Sequence, residues 1–430
     1  MNSRPDRRLV IVVRADPVIC GHSGEARNLA EVALTRGFDD VRIVTWPLDR
    51  LRETGLPLKP LETVMPYSPG ITVERPEPIG GYKIPDGRYL AGMVGRLVEL
   101  FTDGVPTVCL SLYLHPHTTA VAEALRIAHA TGLEVNVTTI AEAVGSDITD
   151  VVRSAVETGE FGAAASVLAT YLSQDHCVAV SRYTKHVIVQ SASQIDALYG
   201  TSFASQCEER VGISYPAIDT SAYLNLDPAA TARVLAARGL TSGKYVLYLS
   251  RLQKAKGVDD LIRGFATAEA CHEQTLVIAG RGPDADYFRA AAARTSARDR
   301  IVFLDDVGDE EKPHLMAACS TYVLPSKAAP DFTETFGIAL VEKMLAGGGP
   351  VITCDTGGIL EAVGDTAVVV PTGNSSAIAV ALNLCAGGLD EADREWWEHR
   401  ARSHAMQFDR EHVFDTLFAR VDALAYARAS

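Results

Sequence analysis

The sequence has no C-x-x-C pair, no apolar run near the ~20 residues a membrane-spanning helix needs, and no surplus of positive charge. Each absence excludes a class. Eight cysteines lie scattered at positions 20, 109, 177, 207, 271, 319, 354 and 385, several inside apolar runs such as TVCLSLYL. That pattern reads as buried free thiols in a reducing compartment, not as a disulfide or zinc framework. Lys and Arg number 40 against 54 Asp and Glu, a formal net charge of -14. Nucleic-acid binding depends on basic side chains neutralising phosphates, so no nucleic-acid partner is expected. An acidic surface would tolerate a cationic substrate. The basic start MNSRPDRR is followed only by the short apolar run LVIVV, too short for a signal peptide. The expected location is cytoplasmic, without stable membrane insertion. No G-x-S-x-G, H-E-x-x-H or Walker motif is present.

What is present is a regular alternation. Short β-branched runs recur at 9–15, 41–46, 107–111, 135–139, 177–181 and 211–215, then at 245–250, 275–280, 301–305, 321–325, 351–354 and 367–370. Continuous apolar strands separated by helical stretches predict parallel sheets buried on both faces. Two such series in 430 residues predict an α/β protein of two doubly wound, Rossmann-like domains. The expected boundaries are 1–215, 216–405 and a C-terminal helical stretch over 406–430, with the seam in SYPAIDTSAY (214–223). Apolar spacing at Val413, Leu417, Val421 and Leu424 predicts that the last helix packs on a domain surface. Segment 54–88 is Pro- and Gly-rich and too long for an idle connection, and no role is assigned to it.

Two stretches carry chemistry. In PDFTETFGIALVEKMLAGGGPVITCDTGGILEAV (330–363), Gly337 precedes a helix whose free N–H groups can face a phosphate. Glu334 and Glu342 lie eight positions apart, roughly 10–12 Å along a helix axis. That separation suits hydroxyls at the two ends of a sugar nucleotide. In YLSRLQKAKGVDDLIRGFATA (248–268), Arg251 and Lys256 follow a strand, at the edge where ligands bind in open α/β sheets. An Arg fork and a Lys point charge suit a diphosphate leaving group without a metal.

Glu-x7-Glu with an internal Phe-Gly, behind Arg-x4-Lys-Gly, resembles the retaining GT-B glycosyltransferases of family 4. VAVSRYTKHVI (178–188), PAIDTSAY (216–223) and AGRGPDADYF (279–288) extend the resemblance along the chain. It implies two domains facing a cleft, with a C-terminal helix crossing back. It implies that Arg251 and Lys256 hold the diphosphate, that Glu334 contacts donor-sugar hydroxyls and that Glu342 contacts the ribose. Backbone N–H groups near Phe336, Gly337 and Ile338 would also reach the donor. GHSGEARNLA (21–30) is similar to the family's glycine-rich first loop, which places Gly24 near donor phosphate and turns His22 and Glu25 to the cleft. The alternative is a plain helix start with Ser23 as N-cap.

One departure stands out. The family has a His just after the strand matching VNVTT, and this chain reads Thr138-Thr139-Ile140-Ala141-Glu142. Glu142, or His115 or His117 of LYLHPHTT, would take that place; the alternative for the two histidines is a solvated turn around Pro116. Asp284-Ala285-Asp286 matches D-x-D, and a helix cap is the expected reading in preference to a metal site. Trp396 and Trp397 are expected to be packing residues.

The resemblance implies transfer of a sugar from a nucleoside-diphosphate donor, UDP-GlcNAc or UDP-glucose by family habit, to a small-molecule hydroxyl with retention. No further cofactor and no metal is expected. The layout around AEAVGSD (141–147) is similar to enzymes of aminoglycoside-antibiotic pathways, which would make the acceptor cationic. A sucrose-phosphate-synthase-like transferase, an inactive donor-binding subunit and a sugar-nucleotide epimerase are the alternatives. Oligomeric state is not fixed by the sequence.

Overall fold

The structure is a computed structural model that describes residues 5–53, 57–78, 90–145, 147–329, 332–387 and 389–429. The chain divides into two compact units, Met1–Ile218 with Arg410–Ser430, and Asp219–Asp409.

The first unit is built on a seven-stranded sheet. Its strands are β1 (Arg8–Val12), β2 (Asp40–Val44), β3 (Ile71–Glu74), β4 (Thr107–Leu112), β5 (Val137–Ala143), β6 (His176–Ala179) and β7 (Val211–Ile213). They run in the order β3-β2-β1-β4-β5-β6-β7, all pairs parallel. The apolar run of β1 explains the layering. Alternate side chains point to opposite faces: Leu9 and Ile11 enter one core, Val10 and Val12 the other. The first core is closed by the helix Arg410–Ala429, through Val413, Phe414, Leu417, Phe418 and Val421. Each such side chain, fully buried, contributes about 1.5–3 kcal/mol. The side chain of Leu424 lies outside the described residues.

The second unit holds β8 (Tyr245–Leu249), β9 (Thr275–Ala279), β10 (Ile301–Leu304), β11 (Thr321–Leu324), β12 (Val351–Cys354) and β13 (Val368–Val370). Their order is β10-β9-β8-β11-β12-β13, again parallel throughout. In both sheets the winding reverses between the first strand and the fourth, at β1/β4 and at β8/β11. Reversal opens a crevice beyond the carboxyl ends of those strands, where ligands bind in such folds.

Several local expectations need correction. Strand β3 lies inside the Pro- and Gly-rich segment 54–88 and was not expected; residues 54–56 and 79–89 of that segment lie outside the described residues. Its ITVE is only partly buried, as an edge strand is, and so lacks a continuous apolar run. The helix after β1 spans Gly21–Ala33 with Cys20 at the N-cap, so Ser23 is no cap but a buried residue of the first turn. Asp284 makes no side-chain cap to its own helix; its carboxylate accepts from Lys254 N at 2.8 Å and ties down the Arg-Leu-Gln-Lys loop. Trp396 is 52% exposed and carries the Arg400 guanidinium over its ring, so it is not a packing residue. All eight cysteines are free, and all but Cys20 are buried. No described helix is long and apolar enough to cross a membrane.

Candidate functional site

In the second unit the crevice forms where β8 and β11 end. After Leu249 the chain leaves the sheet, and its return is fixed by close backbone packing. Leu252 N donates to Arg281 O at 2.9 Å, and Asp284 N donates to Leu252 O at 3.1 Å. A short helical turn, Lys254–Lys256, then delivers Lys256, and Gly257 follows in the left-handed region at φ 70°. A Cβ at Gly257 would collide with Pro325 O beyond β11, so only glycine lets the loop cross there. Lys327 pins the same corner: its N donates to Ala255 O at 2.7 Å and its ammonium pairs with Asp259 at 3.0 Å and with buried Asp260.

The Lys256 ammonium is largely buried and donates to Glu334 Oε2. It also lies 4.9 Å above the Phe332 ring. Arg251 is half-buried, and its guanidinium pairs with no carboxylate among the described residues.

Glu334 is not helical. The helix of the Glu-x7-Glu segment spans Ile338–Ala346, with Gly337 at its N-cap at φ 106°. The expected 10–12 Å rise therefore applies to only the second half of the eight-residue interval. The first half is a loop, held by the turn after β12. Gly358 N donates to Glu334 O at 2.9 Å, and a Cβ on Gly357 or Gly358 would strike the carbonyls of Glu334 or Thr335. The two glycines thus allow the Glu334 loop to lie flat on the turn. Phe336 is buried edge-on against Phe408, with ring centroids 5.0 Å apart, which sets the loop's exit into the helix. Gly337 and Ile338 open that helix with backbone N–H groups not yet in its ladder.

Glu342 lies on the second turn of the same helix. Its Oε1 accepts from Tyr223 Oη at 2.7 Å and from Lys312 Nζ at 2.6 Å. Neither partner is marked as a site residue by the sequence motifs. Tyr223 stood inside a quoted linker motif, and Lys312 in an unremarkable charged run. Burial and the Glu342 charge push the Tyr223 phenol well above its usual range, so it remains a donor.

In the first unit, the residues singled out by sequence gather beyond β1, β4 and β5. Gly24 sits exposed in the first turn of Gly21–Ala33, where a Cβ would meet nothing. His22 lies 6.0 Å, ring to ring, from Tyr113. Glu25 is buried, and its carboxyl accepts from Ala217 N at 3.2 Å. Glu142 is in register with Leu112, wholly buried, and neither carboxyl oxygen has a hydrogen-bond partner among the described residues. Burial holds both carboxyls above the usual range, and the charges of Glu25 and Asp147 raise Glu142 further. Burial raises Asp147 as well, but its carboxyl, unlike that of Glu142, accepts from the N–H groups of Leu114, Val144, Gly145 and Ile148, at 2.8–3.3 Å. It organises the turn that follows Glu142 and the end of β5.

The histidines also separate. His115 is exposed, with Nδ1 3.1 Å from Thr119 Oγ1. His117 is 1% exposed, which overturns the solvated-turn alternative for it. Its Nδ1 lies 2.6 Å from Leu112 O and its Nε2 accepts from the Trp46 indole at 3.3 Å. Both nitrogens are therefore engaged, and the ring is neutral with its proton on Nδ1. Burial, then the Arg14 charge, pushes its pKa down to about 3. Among the described residues no cluster of three or more His, Cys, Asp or Glu could hold a metal ion.

Comparison with known proteins fits this geometry. Residues 237–401 match the family model "Glycosyl transferases group 1". The chain is 30% identical over 238 residues to the GDP-mannose-dependent alpha-(1-6)-phosphatidylinositol monomannoside mannosyltransferase of Mycolicibacterium smegmatis, covering 52% of this chain and 58% of that one. The chain spans 29% to 58% of the length of the curated relatives it matches. The crystal structure of Anabaena HepE in complex with UDP and glucose superposes with a TM-score of 0.69 at 18% identity, over 97% of this chain and 99% of that one. Sucrose-phosphate synthase from Thermosynechococcus elongatus superposes at 0.67 and 18%, over 98% and 100%. These likenesses establish the fold as GT-B.

Proposed function

We propose that this chain is a nucleotide-sugar-dependent glycosyltransferase of the retaining, family 4 kind. The observation that carries the reading is the Lys256–Glu334 ion pair beyond the ends of β8 and β11, with Arg251, which pairs with no carboxylate among the described residues, in the same loop after β8. A diphosphate bound to Arg251 and Lys256 would leave Glu334 to accept hydrogen bonds from the donor sugar. Glu342, one turn into the helix, is suited to the ribose hydroxyls. The helix start at Gly337–Ile338 offers backbone donors to phosphate oxygens.

The reaction proposed is displacement at the anomeric carbon on the face the leaving group departs from. The acceptor oxygen forms the new C–O bond, the bond to the diphosphate breaks, and the acceptor proton passes to the departing phosphate oxygen. Arg251 and Lys256 stabilise the charge that develops there. Of the three candidates for the place of the family's His, Glu142 alone keeps its polar atoms unpartnered among the described residues. Held neutral by its burial, it can donate one hydrogen bond and accept others.

UDP is favoured as nucleotide by the resemblance and by the UDP-bound fold neighbour; the GDP-mannose-dependent relative makes GDP the alternative. The acceptor is a small-molecule hydroxyl, and the -14 charge is compatible with a cationic one such as an aminoglycoside intermediate. The test is Glu342→Gln. It should raise the donor KM about tenfold with the fold intact, the worth of a hydrogen bond to a charged group; unchanged kinetics removes Glu342 from the site.

A further inference from the structure

Glu342 is held asymmetrically. Tyr223 Oη and Lys312 Nζ both donate to Oε1, at 2.7 and 2.6 Å. Oε2 receives neither bond. Three segments meet here: Tyr223 at the start of the second unit, Lys312 at the start of the helix before β11, and Glu342 on Ile338–Ala346. Tyr223 is buried, and the Lys312 and Glu342 side chains are 20% and 15% exposed, so the contact is shielded. The Lys312 ammonium also lies 5.6 Å from the centroid of the Tyr223 ring, and the three groups brace one another.

A free glutamate explores several rotamers and loses that freedom when it binds. Two donors on one oxygen impose that loss during folding. They also fix which oxygen faces outward. A carboxylate oxygen has lone pairs for two donors, so a fixed Oε2 can accept from two adjacent hydroxyls. We propose that Tyr223 and Lys312 are positioning residues that lock Glu342 and present Oε2 to the vicinal diol of a ribonucleotide, making the site selective for ribo- over deoxyribonucleotides. This rests on the donor reading above, which supplies the ribose.

The test is binding calorimetry of the full chain with UDP and GDP and with their 2′-deoxy forms, for wild type, Tyr223→Phe, Glu342→Gln and the double variant. Phenylalanine keeps the ring and removes only the hydroxyl. Tyr223→Phe should weaken ribonucleotide binding about three- to tenfold and weaken the 2′-deoxy ligand less, because that ligand keeps only one of the two hydroxyls. In the Glu342→Gln background it should have little further effect, because its action passes through that carboxylate. Lys312→Met should behave as Tyr223→Phe does. Equal weakening for ribo and deoxy ligands, or additive losses in the double variant, overturns the proposal. Absence of nucleotide binding by the wild type overturns the donor reading itself, a result distinguishable from the other two.

Discussion

The Lys256 ammonium donates to the Glu334 carboxylate, joining residues 78 positions apart beyond the ends of β8 and β11. The pair is 10% and 14% exposed, so neither charge is fully solvated. On the proposed function such a contact holds a site in readiness: an arriving diphosphate would share the lysine and leave the carboxylate for a sugar.

Removing the cation exposes that logic. Lys256→Met should lower UDP or GDP affinity by roughly 10- to 100-fold, the worth of a charge-assisted hydrogen bond. It also strands Glu334, so the thermal midpoint should fall. Calorimetry with the nucleotide, together with a melting curve, reads both. Unaltered affinity would move the phosphate site elsewhere.

The Glu25 and Glu142 carboxyls make stability pH-dependent with a defined sign. Their folded pKa values are raised by burial, Glu25's to about 8. Below the ordinary carboxylate range both states are protonated and no penalty arises. Above it the unfolded chain ionises while the folded one does not, so stability falls as pH rises, and Glu25's share of that fall is complete beyond about 8. Glu142→Gln keeps the shape without the charge. It should flatten this decline and make the variant more stable than wild type at pH 8. Chemical unfolding between pH 5 and 9 measures it; a wild-type curve rising across that window contradicts the assignment.

Both ring nitrogens of His117 are taken up by hydrogen bonds within the first unit. His117→Asn should destabilise the first unit by about 1–3 kcal/mol, by breaking the bonds to Leu112 O and the Trp46 indole. It should not remove any limb of the pH–rate profile, since its own pKa lies near 3. A wild-type limb near neutral pH that vanishes in the variant would make His117 a proton carrier after all.

The strands of both sheets were legible because parallel strands buried on two faces leave continuous apolar runs, as RLVIV does. The edge strand ITVE left none, and it was missed. Arg251, Lys256, Glu334 and Glu342 were legible as residue types at meaningful spacing. Their pairings were not. The Lys256–Glu334 contact and the Tyr223 and Lys312 bonds to Glu342 depend on where loops cross after folding, which no local period records. Ser23 and Trp396 misled for a related reason. A cap and a packing ring are defined by their surroundings, and the same letters occur at a buried helix turn and on an exposed face. For Glu142 the sequence showed a missing His; only the structure shows a carboxyl buried without a partner among the described residues.

The central claim is tested most directly by incubating the wild-type chain with UDP-, GDP- and dTDP-sugars. The acceptor mixture contains aminocyclitol pseudosaccharides, sugar phosphates and simple glycosides, and nucleotide and product are followed by mass spectrometry. The account predicts nucleotide release coupled to an acceptor mass increased by one sugar residue, with one donor preferred. Conversion of the donor to its epimer without an acceptor, or donor binding with neither release nor transfer, would contradict it.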